Sequence, residues 1–136
     1  RAMGLKGVSV FPGNHGTEYN SHQGAVLLFE TGHGQFLAVI DASEVTAIRT
    51  AAVTGLATRL LARDDAGDVA ILGSGVEART HLEAMLAVRK ARRIRVWSRN
   101  EEHARQFATR ESRRHAIEVE PVTRAEEAEI YLGRLA

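Results

Sequence analysis

The chain has 136 residues, 44% of them hydrophobic and 26% charged, with a formal net charge of +1. That is enough apolar material for one packed core and too little net charge for a disordered or strongly field-driven protein. No apolar run approaches the ~20 residues of a spanning helix and no cleavable leader is read at the start, so no membrane partner is expected and a cytoplasmic location is the default. Cysteine is absent, which excludes disulfides, thiol redox pairs and thiolate metal sites.

Leu5 to Val10, Ala25 to Glu30 and Gln35 to Ile40 read as strands. Thr31-Gly32-His33-Gly34 joins the last two as an antiparallel hairpin, because its glycines can take the positive φ of a tight turn. Pro12-Gly13-Asn14-His15-Gly16 breaks any ladder and reads as a loop. From about Ser43 to Arg63 the period becomes helical, with Asp41 or Ser43 able to cap the first turn. Val45, Ile48, Ala52, Val53, Leu56 and Leu60 form the apolar stripe by which such a helix packs, and Arg49 falls within or at the edge of it. Ala47, Ala51 and Gly55 make a second face of small residues that allows a backbone or a flat ligand to come close.

After Arg63-Asp64-Asp65-Ala66-Gly67, strands alternate with helices. The order is a strand at Val69 to Leu72, a helix from about Val76 to Val88 and a strand at Ile94 to Trp97. A helix from about Glu101 to Arg110, a strand at Ile117 to Val119 and a helical turn near Arg124 to Ala128 follow. Glu129-Ile130-Tyr131-Leu132 would begin a fourth strand. Such alternation implies parallel pairing. The expected fold is α/β: a shortened Rossmann-type parallel sheet, preceded by an incomplete antiparallel portion and a long connecting helix. The boundaries fall at 1–41, 42–66 and 67–136.

Leu72 runs into Gly73-Ser74-Gly75-Val76-Glu77-Ala78, a G-x-G-x-x-A turn between a strand and a helix. Gly73 permits the turn, Gly75 lets the backbone approach a pyrophosphate, and Ala78 keeps helix and strand close. Free N–H groups at the helix start would hold the phosphates; a glycine turn serving packing alone is the alternative. NAD-binding versions usually carry an acidic residue at the end of the next strand. Here that strand ends Trp97-Ser98-Arg99-Asn100. Ser98 can donate to a 2′-phosphate and Arg99 offers it a planar charged fork, which favours NADP over NAD unless Arg99 merely faces solvent.

Arg89, Lys90, Arg92, Arg93, Arg95 and Arg99 crowd one stretch. Without interleaved aromatics for base stacking they read as a solvated surface with one or two phosphate-binding members, and nucleic acid is not the expected partner. The six histidines form no metal-ligand spacing on one helix, and no metal site is expected.

Three segments in order, Gly4-Leu5-Lys6-Gly7-Val8-Ser9-Val10-Phe11-Pro12-Gly13-Asn14, Thr46-Ala47-Ile48-Arg49-Thr50-Ala51-Ala52 and Gly73-Ser74-Gly75-Val76-Glu77-Ala78-Arg79-Thr80-His81-Leu82, resemble the ornithine cyclodeaminase and mu-crystallin family, and the similarity runs to about Ile130. The resemblance implies that Lys6 and Arg49 meet the carboxylate of a small amino-acid-like or cyclic-imine substrate and that Thr50 contacts the cofactor. On the residues alone, Arg49 could equally form a structural ion pair with Glu18, Glu30 or Asp41, and Lys6 could be a solvated edge residue.

It also implies an NAD(P)-dependent oxidoreductase or cyclodeaminase that forms homo-oligomers through its antiparallel strands. In the family a further substrate-binding arginine precedes the position of Arg1 and a catalytic aspartate follows that of Ile130. Neither has a counterpart in these residues, so no catalytic residue is assigned. A non-catalytic cofactor-binding or oligomerising module is the alternative.

Overall fold

The computed structural model describes residues 1–14 and 16–129. The chain is a mixed α/β protein that, among the described residues, has one antiparallel and one parallel sheet, each of three strands. It falls into two compact units, Arg1–Arg49 and Thr50–Ala136. Of the fourth strand expected from Glu129 to Leu132, Glu129 instead ends a helix and residues 130–132 lie outside the described residues, as does His15.

In the first unit β1 (Ala2–Val10), β2 (His22–Glu30) and β3 (Phe36–Asp41) form an antiparallel sheet in that order. All three expected strands are present, β1 and β2 extending three residues further toward the N-terminus. The register runs from Ala2 opposite Glu30 to Val10 opposite His22. Gly24 makes this possible, since a Cβ there would lie 2.2 Å from the Gly7 carbonyl oxygen.

The hairpin turn is organised by a side chain more than by its glycines, for only Gly34 takes a positive φ (73°). The Glu30 carboxylate accepts the Gly32 N–H at 2.6 Å, the Gln35 N–H at 3.0 Å and the His33 N–H. Those backbone donors, Gln35 foremost, hold the Glu30 carboxyl below the usual glutamate value.

Helix α1 (Ala42–Leu61) starts under the Asp41 side chain, which accepts the Ser43 N–H at 2.7 Å and the Glu44 N–H at 3.2 Å. The expected packing face is corrected here. Ala47, Ala51 and Gly55 are buried, whereas Ile48, Val53, Leu56 and Leu60 are between 47% and 69% exposed. The reason at Gly55 is close approach, because a Cβ there would stand 3.3 Å from the Ala84 Cβ. A helix that nests on its small residues turns its large ones away.

In the second unit β4 (Asp68–Leu72), β5 (Arg93–Trp97) and β6 (Val119–Pro121) pair in parallel in that order, with Leu72 opposite Trp97. Helices α2 (Val76–Val88) and α3 (Glu101–His115) connect them, and α4 (Ala125–Glu129) follows. The core gathers Ile71, Leu82, Ile94, Val96, Phe107, Ala108 and Val119; burial of each large side chain contributes about 1.5–3 kcal/mol.

Helix α3 runs one and a half turns past the expected Arg110. Its buried positions Ala104, Phe107, Ala108 and Glu111 continue at helical spacing, and Arg113, Arg114 and His115 suit the negative end of its dipole. Ala116 closes it in the left-handed conformation at φ 52°. Ser112 then takes up the next donors, its carbonyl accepting the Ile117 N–H and its hydroxyl the Val119 N–H. That displaces β6 from the expected Ile117–Val119.

Gly24→Ala is expected to destabilise the fold by about 1–3 kcal/mol through overpacking of β1 on β2. Ala116→Gly is expected to stabilise it by about 1 kcal/mol through release of left-handed strain. Denaturant unfolding of both variants measures these. A carboxyl lowered in the folded state contributes stability in full above the unfolded value and loses it as pH falls through the folded one. The protection of the amides at residues 31–35 relative to their intrinsic exchange rates is therefore expected to fall on acidification below the ordinary glutamate range, and to be low already at neutral pH in Glu30→Gln.

Candidate functional site

The apolar run of β4 ends at Leu72, and Gly73 turns the chain at φ 120°, a conformation that glycine alone adopts readily. Its N–H donates to the Trp97 carbonyl at 2.7 Å, tying the turn to the end of β5. Gly75 then stands at the start of α2 with no side-chain cap. That helix differs from α1 and α3, whose first N–H groups are taken by Asp41 and Asn100. A Cβ at Gly73 or Gly75 would meet no atom within 4 Å. Uncapped donors thus face open space, which suits an anionic group such as a pyrophosphate.

A cavity of about 620 Å³ opens over this turn. Gly73, Ser74 and Gly75 form one part, Trp97, Ser98 and Arg99 another, and His103, Gln106, Phe107 and Arg110 of α3 a third. The Ser74 hydroxyl donates to that of Ser98 at 3.1 Å, joining the turn to the strand end. Two arginines and a histidine line the space and none of its described lining residues is acidic. The sequence had pointed to Gly73, Ser74, Gly75, Ser98 and Arg99, which the structure brings together. It had not pointed to His103, Gln106, Phe107 or Arg110, although their i, i+3, i+4, i+7 spacing marks one face of α3.

The other cofactor candidates are placed elsewhere. Val76, Glu77 and Ala78 line a second cavity of about 560 Å³ that shares Gly73 and Gly75. There His81 bridges helices, with Nε2 at 3.2 Å from the Thr54 hydroxyl and Nδ1 at 2.7 Å from the Glu77 carbonyl and 3.6 Å from its carboxylate. Thr50 lines neither cavity. Asn100 lines neither as well, and its side-chain oxygen accepts the Glu102 and His103 N–H groups at 2.9 and 3.4 Å.

In the first unit Lys6, on β1, donates to the Thr46 hydroxyl, which itself donates to the Ala42 carbonyl at 2.6 Å. Thr46 and Arg49 are one turn apart on α1, so Lys6 is held beside the helical face that carries Arg49. Arg49 is exposed, not partly buried as its place near the apolar stripe suggested. Among the described residues no ion pair joins it to Glu18, Glu30 or Asp41, the last two of which serve the hairpin turn and the α1 cap.

Much of the basic stretch is occupied internally. Arg89 donates to the Thr58 and Ala62 carbonyls at 2.8 and 3.0 Å, closing the end of α1. Arg92 pairs with Asp68, and Arg95 with Glu120 at 2.9 Å and the Glu127 carbonyl at 2.8 Å. Among the described residues no group of three or more His, Asp or Glu side chains could hold a metal ion, and no helix is long and apolar enough to cross a membrane.

The family model described as Ornithine cyclodeaminase/mu-crystallin family matches residues 1–130. The ketimine reductase mu-crystallin of Mus musculus is 40% identical over 108 residues, which are 79% of this chain and 34% of that protein. A Delta(1)-pyrroline-2-carboxylate reductase of Bacillus cereus is 39% identical over 107 residues, 79% of this chain and 33% of that protein. The chain thus spans about a third of the curated relatives it matches.

Among solved structures, Thermococcus litoralis Delta(1)-pyrroline-2-carboxylate reductase in complex with NADH and L-proline superposes with a TM-score of 0.85 at 37% identity, over 93% of this chain and 39% of that one. An archaeal alanine dehydrogenase dimer with bound NAD gives 0.83 at 30% identity, over the same shares.

Asn100→Ala is expected to lower the unfolding free energy by about 1 kcal/mol, the usual worth of an N-cap, and Asn100→Asp to retain it. Thermal unfolding of the two variants measures the difference.

Proposed function

Because the chain belongs to the ornithine cyclodeaminase/mu-crystallin family, we propose that it binds a nicotinamide dinucleotide over the glycine turn, as part of an oxidoreductase acting on small amino-acid-like or cyclic-imine substrates. One observation carries this reading: an uncapped helix start opens onto a groove whose described lining includes two arginines and no carboxylate. The matched relatives and solved structures named as reductases and a dehydrogenase, two of them with NADH or NAD, support it.

When bound, the dinucleotide supplies or accepts a hydride at the carbon bearing the substrate nitrogen. The residues of this chain bind and orient. The first turn of α2 holds the pyrophosphate by its backbone donors, with Gly73 and Gly75 leaving room for it. Ser98 and Arg99 read the adenosine ribose, and a guanidinium where NAD-binding units carry a carboxylate favours the 2′-phosphate of NADP. Thr50 contacts the cofactor. Lys6 and Arg49 hold the substrate carboxylate, and fixing that end makes the transfer effectively unimolecular. Exposed Met3, Leu5, Val8 and Val10 on β1, with Phe36, Leu37 and Val39 on β3, favour association of the antiparallel sheet with a second copy.

Titration of the chain with NADPH and NADH, followed by cofactor fluorescence, is expected to give about tenfold tighter NADPH binding, a difference of about 1.4 kcal/mol. That preference is expected to vanish in Arg99→Ala. Binding of neither cofactor would overturn the reading. Binding without turnover of a cyclic imino acid would reduce it to a cofactor-binding module. Light scattering is expected to give a mass above that of one chain, and a monomer at high concentration would refute the association.

A further inference from the structure

We propose that Arg110, held by the buried carboxylate of Glu111, is a second anion-reading residue of the groove, acting with Arg99 to select a ligand that carries a 2′-phosphate. This rests on the reading of the groove as a dinucleotide site and extends it from Arg99 at the strand end to a residue on α3.

Glu111 is the anomaly that leads there. It lies on the core face of α3 in line with Phe107 and Ala108 and is 0% exposed. A carboxylate withdrawn from water is costly unless it is bonded and paired. Its Oε1 accepts from the Arg110 Nε at 2.7 Å, and its Oε2 lies 3.5 Å from the His115 Nε2.

The arginine at the other end of that bond is not buried. Its side chain is 57% exposed, its guanidinium carbon stands 5.5 Å from the centroid of the Phe107 ring, and it lines the same cavity as Arg99 and His103. An exposed arginine gains little from one surface partner. Here a buried carboxylate and a ring face restrict the guanidinium at the groove. Because the bond to Glu111 uses Nε, the two terminal nitrogens remain to form a fork toward an anion.

The position identifies the anion. The pyrophosphate belongs at the uncapped start of α2, while α3 and the end of β5 wall the part of the groove where a dinucleotide places its adenosine ribose. A phosphate monoester there carries a charge of about −1.5 to −2, more than Arg99 alone offsets. With no carboxylate among the described lining residues, Arg110 supplies the second positive charge. Glu111 is a positioning residue that acts through Arg110.

The test uses adenosine 2′,5′-bisphosphate and adenosine 5′-monophosphate, titrated calorimetrically into the chain and its variants. The parent is expected to bind the bisphosphate more tightly. Arg110→Met, which keeps an apolar stem over Phe107, is expected to weaken the bisphosphate about tenfold, the scale of one charge-assisted hydrogen bond, and to leave the monophosphate unchanged. Glu111→Gln keeps an acceptor for Nε and is expected to retain the preference. Glu111→Met folds with an apolar side chain in the core and is expected to lose the preference as Arg110→Met does.

An unchanged bisphosphate affinity in Arg110→Met, an equal loss of both ligands, or no binding of either ligand by the parent would overturn the assignment. Arg110-dependent bisphosphate binding in a chain that binds neither NADPH nor NADH would uphold it while defeating the dinucleotide reading. NADPH binding indifferent to Arg110 would do the reverse.

Discussion

The hydrogen bond from the Gly73 N–H to the Trp97 carbonyl, at 2.7 Å, fixes the geometry on which the candidate site depends. Parallel register sets Leu72 opposite Trp97, so both strands end at the same level. The bond then binds the turn after one strand to the end of the next. Only glycine tolerates the φ of 120° that this bond requires. From it follow the start of α2 at Gly75, the meeting of the Ser74 and Ser98 hydroxyls, and the placement of Arg99 beside the uncapped donors. Elsewhere in the same unit, Phe107, Leu82 and Val96 supply the apolar burial that keeps the strands in register.

The second constraint is how closely α1 and α2 approach. Gly55 lies against Ala84, and Arg89 reaches from the end of α2 to the Thr58 carbonyl, which also accepts the Ala62 N–H, and to the Ala62 carbonyl just past the C-terminus of α1. A guanidinium at a helix C-terminus meets both the orphan acceptors and the dipole. Small residues and a cap together hold α1 where bulky side chains would have pushed it off, and its larger apolar side chains stay in water.

The sequence made the elements legible because their signals are local. The α2 boundaries follow from a glycine turn and helical spacing, and the hairpin from its apolar alternation and glycines. The α1 packing face was misread because periodicity ranks residues by hydrophobicity, whereas Gly55 and Ala84 are matched by shape, a property of two elements at once. The extension of α3 was missed because Glu111 looks like a surface residue until its burial is known. In the site, Gly73 to Gly75 and Ser98 to Arg99 announced themselves by motif. The α3 wall carries no motif, only a spacing that gains meaning once the helix is laid beside the turn. Asn100, next to Arg99 in the strand-end segment, carries a cap for α3 that the motif does not announce.

The positive character of the groove does not come from a positive protein, since the net charge is only +1. It comes from where the acids around it are spent. Glu77, at the start of α2, turns to His81. Glu102, at the start of α3, is held below its usual value chiefly by Gln106 and then by Arg105, and both bonds run along the helix. Glu111 is buried and its Oε1 accepts from Arg110. Glu101 and Glu102 also complement the α3 dipole where they stand. None of these acids lines the cavity beside Arg99 and Arg110, and a chain of nearly balanced charge keeps a basic pocket by directing its carboxylates elsewhere.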